Sequence, residues 1–110
     1  LRAAWADYSG VFMRLPGQPN PRRTGAAILV SPDHPDTPPE WITRFYGVLN
    51  VSYPGLRMLD LTRGQPLRLR YRLWIHRGDA VEGHVDAAHK AYSADWQWRP
   101  AGTTQTAPGT

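Results

Sequence analysis

The stretch from Leu67 to His76 limits what this chain can fold into more than any other part of it. Leu67, Leu69, Tyr71, Leu73 and Ile75 alternate without a break with Arg68, Arg70, Arg72, Trp74 and His76. Successive side chains of a strand point to opposite faces, so the pattern predicts a strand with its apolar members turned to a core and its arginine side turned out. A slip of one residue would bury the arginines, which specifies the register strongly. Arg77-Gly78-Asp79 then changes the period. Asp79 is a good N-cap, because its carboxylate accepts N–H bonds of a first turn and meets the positive end of the helix dipole. Val81, Val85, Ala88 and Tyr92 follow at helical spacing and predict a helix running to about Ala94. Glu82, Asp86 and Lys90 form a solvated charged line on it, and Gly83 weakens it by up to about 1 kcal/mol relative to alanine.

Ten glycines and eleven prolines break the rest into short elements and argue against a helical bundle. Ala3–Tyr8 reads as a strand ending at the Ser9-Gly10 turn, with Val11–Arg14 as its continuation and 16–21 as a loop. Gly25–Ser31 reads as a buried strand, Trp41–Phe45 leads into a further strand over Tyr46–Ser52, and Leu56–Leu61 is a weaker candidate. Four prolines between Pro32 and Pro39 rule out a regular hydrogen-bond ladder there. The fold class expected is therefore mostly β, an antiparallel sandwich with one C-terminal helix. Residues 1–96 make up the ordered domain, and 97–110 are expected to be a disordered tail.

Apolar residues are 41% of 110, enough for one packed core and no more. The longest apolar run, Ala26–Val30, is far too short to cross a membrane, and no signal-peptide pattern is visible. The absence of cysteine excludes disulfides, thiolate metal sites and thiol nucleophiles. A net charge of +4 and a pI near 10.0 admit acidic partners. All the basic residues but Lys90 are arginine; beside so much alanine, glycine and proline this reads more simply as codon usage than as phosphate recognition, and nucleic acid is disfavoured.

The densest cluster of chemistry-bearing residues is Asp33, His34 and Asp36 with Glu40, Trp41 and Arg44. A histidine and carboxylates on a proline-stiffened loop suit acid–base work or a hard metal, Trp41 suits a sugar face, and Arg44 suits a carboxylate. The plainer reading is a surface loop with Trp41 in the core, since no two members have a diagnostic ligand spacing. His84 and His89 lie about 140° apart on a helix and share no face, so no metal site is expected. The arginine stripe with Trp74 suits an anionic or sugar ligand, but a solvated or covered sheet face is the simpler account. No phosphate-binding loop, dinucleotide fingerprint or nucleophile elbow is present, and no cofactor is indicated.

Several segments in order, Trp5–Gly10, Gly25–Leu29, Trp41–Arg44, Tyr46-Gly47, Leu67–Arg72 and His76–Asp79, resemble the C-terminal part of the bacterial family termed methane oxygenase PmoA-like. The resemblance covers residues 3–94. It implies a larger β-sandwich of which this chain is the last third, the N-terminal part of the same chain being the missing partner. It implies no methane chemistry, because that needs membrane helices. It points instead to a soluble protein handling a sugar or sugar acid, with His34, Trp41 and Arg44 near the ligand. The loop departs from the family's pattern where Ser31 replaces a histidine and Asp36 an arginine, so either the ligand differs or the site is inactive. A non-catalytic interaction module using the arginine-rich face is the alternative. A partial sandwich exposes strand edges and half a core, which predicts instability or self-association.

Overall fold

The computed structural model describes residues 1–11, 16–17 and 22–98, the last three by backbone alone. Five strands and one helix follow in order: β1 (Trp5–Gly10), β2 (Thr24–Val30), β3 (Glu40–Arg44), β4 (Val48–Ser52), β5 (Tyr71–Arg77) and α1 (Val85–Trp98). The chain is mostly antiparallel sheet with a single C-terminal helix, as the composition and alternation lead one to expect. β1, β2 and β5 form one sheet with β2 in the middle, and β3 and β4 form a hairpin. Residues 1–4 join the two: the Trp41 N–H donates to the Leu1 carbonyl (3.1 Å), the Ala3 N–H to Pro39 (3.2 Å), and the Val30 N–H to Ala4 (3.1 Å).

Directly paired residues share a face, so the register sorts the sheet into two sides. Trp5, Asp7 and Ser9 of β1, Gly25, Ala27 and Leu29 of β2, and Arg72, Trp74 and His76 of β5 share one face. Ala27 and Leu29 are fully buried there and pack with Val85 and Tyr92 of α1, while Trp5, Ala80 and Ala88 close the margins. The opposite face carries Ala6, Tyr8, Ala26, Ile28, Val30, Tyr71, Leu73 and Ile75.

This inverts the expectation for β5. The core under the helix lies on the Arg72–Trp74–His76 side, and Leu73 and Ile75 are 66% and 73% exposed. The cause lies in the neighbouring strand. Gly25 leaves room on one side of β2 for the His76 ring and Ala27 for the helix, and alternation within β5 alone cannot register that. Arg72 is accommodated by laying its guanidinium over the Tyr92 ring, 4.3 Å from the centroid. β5 also starts later than expected, at Tyr71 rather than Leu67. Beyond Ser31, whose N–H still reaches the Arg70 carbonyl (3.3 Å), its partner strand turns away through the proline-rich segment, so Leu67–Leu69 has no ladder to join.

The helix differs at both ends. Asp79 does cap a turn: the Glu82 N–H donates to its carboxylate (2.8 Å) and Glu82 reaches back to the Asp79 N–H (3.3 Å), a capping box. That turn ends at His84, whose φ is 54°, and α1 begins only at Val85. Val81 therefore lies outside the packed stripe and is 83% exposed, whereas Val85, Ala88 and Tyr92 pack as expected. The helix continues to Trp98, and residues 99–110, most of the expected tail, lie outside the described set. Leu56–Leu61 forms no strand, and the continuation at Val11–Arg14 falls almost wholly outside the described residues.

Candidate functional site

The proline-rich loop folds on itself. The His34 N–H donates to the Ser31 carbonyl (3.0 Å), the Thr37 hydroxyl to the His34 carbonyl (2.7 Å), and the Ser31 hydroxyl to the Asp33 carboxylate. The His34 ring is buried, set edge-on to Tyr53 with centroids 5.2 Å apart. Its Nδ1 accepts the Asp36 N–H (3.1 Å), which leaves the proton on Nε2 to be donated to the Tyr71 hydroxyl (3.1 Å). Burial pushes its pKa below the ordinary value, against the pull of Asp36 and Asp33, so the ring is neutral. Asp36 is held low by Arg2 (3.1 Å) and Arg57 (2.9 Å), although its desolvation works the other way.

Trp41 is buried on β3, with its indole N–H donated to the Ala3 carbonyl (2.7 Å). Arg44 is exposed at the end of β3, where its guanidinium bonds the Thr43 carbonyl (2.8 Å). Three positions apart on a strand, Trp41 and Arg44 face opposite sides. The polar atoms of His34 and Trp41 are thus engaged inside the fold, and of the three only Arg44 is exposed. It precedes Phe45 and Tyr46, two exposed rings 5.4 Å apart at 82°, on a hairpin turn tied to β1 by the Tyr8 hydroxyl bonding the Phe45 carbonyl (2.5 Å).

The closest ionisable contact joins β5 to β1. His76 Nε2 lies 2.5 Å from Asp7 Oδ1, with side chains only 3% and 6% exposed. His76 Nδ1 lies 3.2 Å from the Arg77 carbonyl. Both ring nitrogens face acceptors, so both carry protons and the pair is a buried imidazolium and carboxylate. Burial opposes that charge; the bonds to Asp7 and the Arg77 carbonyl, with the negative charges of Asp7 and Asp79, outweigh it and raise the pKa.

Two glycines make room for this ring. His76 crosses the middle strand above Gly25, where a Cβ would stand 2.7 Å from its Cε1, and Gly83 closes over it, where a Cβ would stand 2.3 Å from its Nδ1. The Trp74 indole N–H fixes the Gly83 carbonyl from below (2.8 Å). With neither nitrogen free, the pair is a clasp between sheet and helix entry rather than a proton-transfer centre. Sequence reasoning missed it because Asp7 and His76 are joined only through the register of three strands; the available hint was a glycine in an otherwise apolar strand. Gly83, read as a helix weakness, is the residue this contact requires.

Among the described residues no three His, Asp or Glu side chains gather where a metal ion could be held. No described helix is long and apolar enough to cross a membrane. Fold and site together define an antiparallel β protein with one covering helix, a second sheet face exposed at Leu73 and Ile75, and a histidine–aspartate clasp. The chain belongs to the family of unknown function DUF6807, which matches residues 1–90. No curated protein and no solved structure matches it.

Proposed function

We propose that this chain is a non-catalytic interaction module whose working surface is the open side of the β1–β2–β5 sheet. The exposure of Leu73 and Ile75 carries the reading: Val30 on the same face is buried, and the face is left uncovered along β5. A sheet that is apolar on both sides is stable in water only when both are covered. The Cα radius of gyration, 16.9 Å against about 13 Å for a compact domain of this length, fits an arrangement that lacks a layer. The occupant is a second β-layer, which the PmoA-like resemblance assigns to an N-terminal part of the same polypeptide. The 110-residue chain is expected to bind a hydrophobic dye and to self-associate with rising concentration. Leu73→Asp with Ile75→Asp should abolish both without lowering the thermal midpoint. A wild-type monomer that binds no dye overturns the proposal.

A second reading, binding of a sugar or sugar acid, is favoured by the Arg44–Phe45–Tyr46 segment, where an exposed arginine is followed by two exposed rings. Aromatic faces stack on sugars and arginine forks to carboxylates. Calorimetric titration with a panel of sugars and sugar acids should give heat that Arg44→Ala and Tyr46→Ala remove. Absence of heat with every ligand ends this reading.

A further inference from the structure

We infer that β5 is a strand-addition edge, and that the segment it accepts is an extended acidic strand of the covering layer. The inference rests on the interaction-module reading and names how the partner enters. β5 lies at the end of the strand order and, among the described residues, pairs only with β2. The Ser31 N–H donates to the Arg70 carbonyl and the Gly78 N–H to the Arg23 carbonyl, so even-numbered residues turn their backbone groups toward β2. The odd-numbered Tyr71, Leu73 and Ile75 therefore turn N–H and C=O outward, and no described residue bonds them. An antiparallel strand laid along this edge would close that ladder at alternate residues.

Charge selects the occupant. From Leu61 to Gly78 the chain carries five arginines and no carboxylate. A second copy of β5 would bring more cations against Arg72 and Arg77, whereas an acidic strand complements them. Exposed Leu73 and Ile75 on the open side call for aliphatic residues at the alternate positions, which face that same side.

The probe is a seven-residue peptide alternating valine and glutamate, titrated into the isotope-labelled chain. The amides of Leu73 and Ile75 should shift and gain exchange protection, whereas those of Arg72 and Trp74 are protected beforehand. Lysine in place of glutamate should weaken binding at least tenfold, and N-methylation at alternate peptide residues should remove it. Ile75→Pro, which takes away an outward N–H without touching the β2 ladder, should also remove it. Equal binding of the lysine or N-methylated peptide, or no change at Leu73 and Ile75, overturns the inference. If the probe fails while Leu73→Asp with Ile75→Asp still abolishes dye binding, the edge assignment falls and the module reading stands.

Discussion

His34 and His76 are both buried beside carboxylates, yet their ring nitrogens meet opposite partners. His34 accepts a backbone N–H and stays neutral; His76 faces two acceptors and stays charged. The raised pKa of His76 means that its stabilisation is complete below the unfolded imidazole value of about 6.5 and is lost as pH rises through the folded value. For His34 the folded value lies below that of the unfolded chain, so stability is lost as pH falls from about 6.5 toward it, where only the unfolded chain takes up the proton. Denaturant midpoints should therefore peak near neutrality, with His76→Gln flattening the alkaline side and His34→Gln the acid side. A profile unchanged by either variant would contradict these protonation states.

The glycines beside His76 belong to the same scale. Gly83→Ala places a methyl against the ring with the Trp74 bond holding the backbone in place, and should cost about 1–3 kcal/mol in urea unfolding. Asp7→Asn leaves the buried imidazole without its counter-charge and should cost about 3 kcal/mol at pH 6.

Among the elements, α1 tests how far spacing alone can be trusted. Val81, Val85, Ala88 and Tyr92 fall on one stripe in the sequence, and the fold uses all but Val81, because Gly83 sits over His76 and the left-handed His84 ends the first turn. Val85→Ala and Tyr92→Ala should each lower stability by about 2–4 kcal/mol. Val81→Ala should change it by less than about 0.5 kcal/mol. Equal losses at Val81 and Val85 would restore the uninterrupted helix.

At the scale of the whole molecule, one well-packed layer supports a more open remainder. β2 is central and buried, while the β3–β4 hairpin is held mainly through residues 1–4 and is half-exposed. Native-state hydrogen exchange should be slowest in β2 and reach the hairpin first, as expected where few apolar contacts anchor an element. Uniform protection across both sheets would show that the hairpin and the central sheet open together.

The sequence by itself determined the elements whose signals are local. Alternation marked β5, the apolar run between Gly25 and Ser31 marked β2, proline density marked the loop, and Asp79 marked a cap. These depend on backbone sterics and nearest neighbours, which a short window contains. Only the tertiary structure decided which side of β5 the helix would cover. It also decided that His34 and Trp41 would spend their polar atoms inside the fold, and that Asp7 would meet His76 across a glycine. Each of those outcomes depends on strands brought together from distant parts of the chain, and the physical reason is that register is a property of the assembled sheet.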